Sequence, residues 1–395
     1  MSDSSLSSIS AADVGERLRL ARESKGITQK DAADDIAVAR TTLVAIEQGQ
    51  RRVRMDELQQ LARLYGQSVN GLLRREAVHV DLIPRFRKLV GVQDVAAIQA
   101  TELLSNLARA EVELENLLGV ERARSYPPER PILPGDVRMQ AEQDAQELRQ
   151  RLGLGFAPIA DIVTLLEMEL GIRVYVRRFD GSVSGVFVHD KTLGACILLN
   201  ANHPRERRNQ TGGHELGHFI SVRHDAEVLH ADEPENSREE RYANAFGRAF
   251  LTPGGAVRQQ FQEVTAGSTH LTRRHIIVMA HFFGVSREAM VRRLEELGLT
   301  RKGTWDWFDA NGGISDEQAA QVLGDLRTPD RHKLEANKPT SIRLNLLAAE
   351  AYGRELMSEG QLARLLHLDR IELREMLEEV GLQEVEADGA PTLLI

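Results

Sequence analysis

The stretch TGGHELGHFI, residues 211–220, decides how the chain reads. On a helix, positions i and i+4 stand about one turn apart on one face, so the imidazoles of His214 and His218 can grip one zinc ion while Glu215 leans toward a water bound to it. The segment follows a short apolar run, ACILL (195–199), and a loop, NANHPRE (200–206), and turns apolar toward its end. That is the passage of a strand through a loop into a partly buried helix.

Zinc with an open position needs a third protein ligand. His224 follows His218 at the spacing of HExxHxxGxxH, but that pattern needs a glycine for its sharp turn where this chain has Ser221. Glu240, in SREERYANAF (237–246), is favoured instead: Ser237 can cap a second helix facing the first, and Asn244 lies one turn on along the same face. Glu239 is the fallback. Two neutral imidazoles and a carboxylate leave the metal charge to lower the pKa of bound water and polarise a carbonyl, with Glu215 taking the water proton and passing it to the leaving amine. The expected reaction is peptide hydrolysis without a covalent intermediate. An oxyanion donor is also required; His203 and Tyr242 are candidates, although Tyr242, two positions from Glu240, should point away. Cys196 reads as a small buried hydrophobe, with a redox-sensitive latch onto the zinc as the alternative.

Around this helix, IRVYV (172–176), VSGVFV (183–188) and ACILL are short, β-branched and separated by turn residues, which predicts strands of a small sheet. Helices are expected over 137–152 and 159–170, and from 205 to the end nearly everything reads as helix, with TWDWFDANGG (304–313) as a loop. Upstream, YPPERPILPG (126–135) reads as a linker. Before it, Ala100, Leu103, Leu107, Ala110, Leu114 and Leu117 alternate at spacings of three and four, as in a linker helix packed on its own domain or a short dimerising seam.

Residues 14–75 read as five short helices: 14–26, 28–38, 39–49, 55–66 and 68–73. They carry 12 Lys and Arg against 8 Asp and Glu, while the whole chain has a net charge of −9. A helix-turn-helix spans 28–49, with Thr28 as N-cap, Gln29 opening the positioning helix, and Arg40, Thr41 and Thr42 at the reading end of the second helix. Arg51, Arg52 and Arg54 follow where they can neutralise DNA phosphates. A helical bundle used for protein contacts is the alternative. The late segment SEGQLARLLHLDRIELREML (358–377) has a similar rhythm, and equally suits a lid or a dimer element.

Composition narrows the classes. At 395 residues, two or three domains are expected, and 42% hydrophobic with 28% charged residues describes folded domains. One cysteine excludes an internal disulfide and a Cys-rich zinc module. No apolar run approaches the length of a membrane span and the start lacks a signal-peptide pattern, so the cytoplasm is the expected compartment, with no membrane partner.

Taken together, GITQKDAADDIAVARTTLVAIEQGQRR resembles the XRE or phage-repressor helix-turn-helix, and ILLNANHPRERRNQTGGHELGHFI with EERYANAFGRAFLTPG and VSREAMVRRLEELGL resembles the ImmA/IrrE metallopeptidases. The fusion is similar to the CapP regulators of antiphage operons. The resemblance implies a gluzincin-like core with ligands His214, His218 and Glu240 and general base Glu215, cutting a helix-turn-helix repressor. Departures are Gly213 for Ala, and Phe250 and Thr252 for Leu and Met, all outside the ligand set. The expected class is mainly α with a small β-sheet (α+β), divided into 1–75 (helix-turn-helix), 76–135 (helical and Pro-rich linker), 136–300 (zinc metallopeptidase) and 301–395 (C-terminal helices). A homodimer is left open. The competing function is a DNA-binding regulator whose peptidase fold senses zinc or a partner without hydrolysis.

Overall fold

The computed structural model describes residues 11–65, 72, 82, 94–159, 161–191, 193–223, 226–230, 237–324 and 341–381. The chain divides into two compact units, Met1–His79 and Val80–Ile395.

In the first unit, α1 (Ala11–Ser24), α2 (Gln29–Asp35), α3 (Arg40–Glu47) and α4 (Met55–Tyr65) enclose a core of Leu18, Ala32, Ala33, Ile36, Leu43, Ile46, Leu58, Leu61 and Tyr65. Thr28 caps α2 as expected, its hydroxyl accepting from the Asp31 amide at 3.2 Å. The turn into α3 passes through Ala37 at φ 53°. Beneath it the buried Arg22 donates through Nε and Nη2 to the two Glu47 oxygens at 2.6 and 3.1 Å, tying the first helix to the third. The fifth expected helix, 68–73, lies outside the described residues apart from the buried Leu72.

The second unit begins its described helices with α5 (Val95–Leu118), capped by Asp94 and ended by Gly119 at φ 70°. Then come α6 (Val137–Arg151) and α7 (Ile162–Thr164), which continues into a π-helical turn, Leu165–Glu169. Strands β1 (Arg173–Arg177), β2 (Val183–Asp190) and β3 (Gly194–Asn200) follow, then α8 (Arg205–Ser221) and β4 (Glu227–His230). The sheet order is β1-β3-β2-β4, with β1 parallel to β3 and the other pairs antiparallel. Val174, Val176, Ala195, Ile197 and Leu199 join the core that includes Leu216 and Phe219 of α8. Strand alternation sends Arg173, Tyr175 and Cys196 to the other face, where Tyr175 donates to Glu111 of α5 at 2.6 Å. Both faces are covered, which is why these strands are apolar almost throughout.

The helical remainder comprises α9 (Arg238–Leu251), α10 (Gly254–Val264), α11 (Arg273–Phe283), α12 (Arg287–Glu296), α13 (Thr304–Ala310), α14 (Asp316–Leu323), α15 (Ile342–Gly353), α16 (Glu359–Leu366) and α17 (Arg370–Gly381). The mainly α, α+β layout expected from the sequence is therefore present. No helix among the described residues is long and apolar enough to cross a membrane.

Three local expectations are corrected. The Pro-rich segment 126–135, expected to be a linker, is packed on the second unit, the Arg130 amide donating to the Ile220 carbonyl at 2.7 Å and the Tyr126 hydroxyl accepting from the Ala195 amide at 2.9 Å, while upstream Ala100, Leu104, Leu107, Ala110 and Leu114 of α5 are buried, as in a helix packed on its own domain. Proline removes donors without removing carbonyls or ring contacts, so Pro density alone did not mark a free tether. The expected loop at 304–313 holds α13, whose buried Phe308 packs in the same core as Ile314, so that core extends beyond residue 300. Finally β4, within a stretch expected to be helical, is a four-residue strand specified by pairing to β2 rather than by its own pattern.

Candidate metal centre

Two helices build the site. Along α8, Gly213, His214, Gly217 and His218 fall on the side that meets α9. Ser237 caps α9, its hydroxyl accepting from the Glu240 amide at 3.0 Å, which places Glu240 in the first turn. A β-carbon built on Gly217 would stand 2.7 Å from Cα of Ala243, and one on Gly213 would stand 3.1 Å from Cα of Gly247. The helices touch backbone to backbone, and this brings the Glu240 carboxylate onto the histidine pair.

His214 Nε2 lies 3.0 Å from His218 Nε2, and the two rings lie 3.6 and 3.4 Å from opposite oxygens of Glu240. A tetrahedral ion with ligand bonds of about 2.0–2.1 Å has ligand atoms about 3.3–3.4 Å apart, so this spacing fits zinc. The chemistry of the donors fits as well. His214 Nδ1 is 2.9 Å from Asn244 Oδ1, and an amide oxygen only accepts, so the ring proton sits on Nδ1 and the Nε2 lone pair faces the common centre. His214 and His218 are buried, and Glu240 is part-exposed.

Glu215 is fully buried, and its Oε1 would lie 3.1 Å from a β-carbon built on Gly185 of β2. A side chain at 185 would also press on Thr211. Gly185 thus leaves the space that the carboxylate occupies. Its role is not legible in VSGVFV, which reads only as a short strand. Gly213 and Gly217 of α8, and Ala243 and Gly247 of α9, recur at four-residue spacing on facing sides, a signal in the sequence for the close approach of the two helices.

The other candidates fall as follows. Glu239 is outside the cluster, its carboxyl held below the usual range by its own backbone amide and by Ser237. His224 lies outside the described residues. Tyr242 points away from the ligands, as its place two positions from Glu240 implies: it is buried and donates to Asp144 of α6 at 2.7 Å. His203 Nε2 faces the Gly181 carbonyl at 3.0 Å. Cys196 is not brought to the site: it lies on the sheet face that carries Arg173 and Tyr175, whereas its neighbours Ala195 and Ile197 face α8. Burial pushes its thiol up to about 12. The latch reading is corrected accordingly.

In the first unit Arg40 and Thr41 are exposed at the start of α3 and Thr42 is half-buried. Gln29 donates to Glu47 at 2.9 Å and accepts from Arg40 at 3.4 Å, so it orients Arg40. Arg52 and Arg54 are exposed. Arg51 departs from its expected phosphate role: both terminal nitrogens donate to Glu57, at 3.0 and 2.9 Å. A bidentate carboxylate pair of this kind holds the guanidinium within the domain.

Residues 167–295 match the peptidase M78 family, described as the IrrE N-terminal-like domain, and residues 13–76 match a helix-turn-helix domain family. No curated protein matches the chain. The crystal structure of Bacillus thuringiensis PlcR in complex with the peptide PapR7 and DNA aligns over 96% of this chain and 98% of that one, at 11% identity and a TM-score of 0.17. The crystal structure of ComR from Streptococcus suis aligns over 96% and 97%, at 10% identity and a TM-score of 0.16.

Proposed function

The chain joins a helix-turn-helix domain to an IrrE N-terminal-like domain of the peptidase M78 family, and from that pairing we propose a regulatory zinc endopeptidase that cleaves a helix-turn-helix transcriptional repressor and so relieves repression in a DNA-damage, mobile-element or antiphage response. The observation that carries the reading is the convergence of His214, His218 and Glu240 on one point, with Glu215 on the same helix turn.

Zinc held there supplies a Lewis acid that lowers the pKa of a bound water and polarises the scissile carbonyl. The chain's residues do the rest. Glu215 takes the proton of the attacking water as the new carbon–oxygen bond forms, then gives it to the amine as the carbon–nitrogen bond breaks. Its side chain is buried against Gly185 of β2, which holds it in place. Asn244 orients the His214 ring through Nδ1 so that Nε2 faces the point where the metal would be held. The helix-turn-helix domain contributes concentration rather than chemistry: bound to DNA at an operator, it raises the local concentration of a repressor occupying the same region. The cytoplasm is the compartment that suits both partners.

The test is cleavage of the repressor encoded beside this gene by the full chain, in zinc, with Glu215→Gln as control. A fragment with the wild type and none with the variant, both loaded with metal, is expected. No fragment from metal-loaded wild type, with or without DNA, overturns the reading in favour of sensing without hydrolysis.

A further inference from the structure

The turn that defines the first unit's helix-turn-helix recurs at the far end of the chain. Thr28 and Ser358 are N-caps of a first helix, and each carbonyl accepts from the amide four residues on, at 3.1 and 3.0 Å. Ala32, Ala33 and Ile36 are buried in one, and Leu362, Ala363 and Leu366 in the other. The turn residue is left-handed in both, Ala37 at φ 53° and His367 at φ 54°, and neither is glycine. The next amide closes the same loop in each, Val38 to Ala33 and Leu368 to Ala363, both at 3.0 Å. Ala39 and Asp369 precede the second helix, which opens on Arg40 in one and Arg370 in the other, and which buries Leu43 and Ile46 or Leu373 and Met376. Exposure agrees along the reading end as well: Arg40 and Thr41 are exposed and Thr42 half-buried, as are Arg370, Ile371 and Glu372.

A third occurrence shows what this motif looks like when its second helix is used internally. Gly284, at φ 64°, turns α11 into α12, Val285 donates to Ala280 at 3.0 Å, and Arg287 opens the second helix. There Arg287 donates to the Ser315 carbonyl and to Asp316, so α14 covers the reading end. At the chain's end no such cover is present among the described residues, and Ile371 stands 68% exposed.

We infer that residues 358–377 form a second DNA-reading helix-turn-helix, with Arg370 and Ile371 at the floor of the major groove. The motif places the first turn of its second helix against base edges. An exposed arginine there suits the O6 and N7 acceptors of guanine, and an exposed apolar side chain suits the methyl group of thymine. Arg374 donates to Glu359 at 3.1 Å, holding the second helix to the start of the first, where Arg40 bonds Gln29 in the other copy. Arg364 and His367 are exposed on the first helix and the turn, the positions that face phosphates. The acidic pair Glu378 and Glu379 lies at the other end of α17, about 12 Å along the helix from Arg370. The copies differ at the reading end, where Asp369 and Glu372 stand at the positions of Ala39 and Thr42; both are bonded within the first turn, Asp369 accepting from the Ile371 and Glu372 amides at 2.8 Å and Glu372 accepting from the Asp369 amide at 3.0 Å.

The experiment is selection from a pool of randomised DNA duplexes by the full chain, in three forms: wild type, Arg40→Ala with Thr41→Ala, and Arg370→Ala with Ile371→Ala. Two sequence patterns are expected from the wild type. The first double variant should keep only the second pattern, and the second double variant should lose it, with affinity for that sequence falling about tenfold. Circular-dichroism melts and metal content must match the wild type, because both substituted pairs are exposed. Loss of all selective binding in the first double variant, or persistence of the second pattern without Arg370 and Ile371, overturns the inference. Cross-linking of Ile371→Cys to a protein in place of DNA selection would likewise overturn it, in favour of protein docking.

Discussion

Gly213 of α8 and Gly247 of α9 meet with no side chain between them: a β-carbon on Gly247 would lie 2.9 Å from both the Gly213 carbonyl carbon and the His214 amide nitrogen. The contact is backbone on backbone, so no rotamer change can relieve an added methyl. Gly247→Ala should therefore push α9 outward and draw Glu240 away from the histidines. The expected result is metal affinity lowered at least tenfold and a stability loss of about 1–3 kcal/mol, the usual cost of overpacking. Competition with a chromophoric chelator and a thermal melt read the two quantities. Unchanged zinc affinity in the variant would show that the helix spacing does not set the ligand geometry.

Asn244 carries a separate prediction, because it touches His214 and not the metal point. Asn244→Ala leaves three ligands but releases the ring and its tautomer. Metal affinity should fall about 10- to 100-fold with little change in melting of the metal-free protein. Asn244→Asp, which restores an acceptor, should recover most of it. A variant that binds zinc like the wild type would assign Asn244 to packing alone.

How far the sequence carried these conclusions depends on the kind of contact. His214, Glu215 and His218 are legible because one helix repeat puts them together, and Glu240 because a capping serine and an amphipathic segment announce the second helix. Gly185, Gly213 and Gly247 act through another element's backbone, and nothing local says which backbone that is. The same limit explains β4, whose four residues are a strand only because β2 is beside them. It also applies to α5: its apolar spacing suits a helix packed on its own domain and a dimerising seam alike, and only Glu111, Glu115, Arg122 and Arg173 show the sheet and the buried ion network that it faces. Charged residues in a helical pattern read as a wet face until their partners are known.

Cys196 offers a chemical check on strand orientation. Burial first of all pushes its thiol up to about 12, so the thiolate is scarce at ordinary pH. A folded-state pKa raised above the unfolded value gives stability that is full below the unfolded pKa and is lost as pH climbs toward 12. At pH near 8 the native protein should therefore resist iodoacetamide and label only on unfolding, with zinc content unaffected by Cys196→Ala. Rapid labelling of the native protein, read by intact mass, would contradict the placement of Cys196 on the covered face.

Glu111 makes the stability of the second unit sensitive to acid. Burial alone would raise its carboxyl, but Arg173 and then Arg122, with the bond from Tyr175, outweigh that and hold it below the usual carboxylate range. A depressed folded-state pKa contributes stability that is present above the unfolded pKa, about 4.3, and is lost as pH falls through the folded value. Glu111→Gln keeps the shape and removes the charge, leaving Arg122 and Arg173 buried with less compensation. The variant should lose about 3–5 kcal/mol at neutral pH, as expected for breaking a buried pair. Because protonation removes the same charge from the wild type, the gap between the two should shrink as the pH falls below about 4. Urea unfolding across that range measures it. Parallel stability profiles for wild type and variant would mean that the Glu111 charge contributes nothing to the acid limb, and that the α5 contact with the sheet rests on its apolar packing.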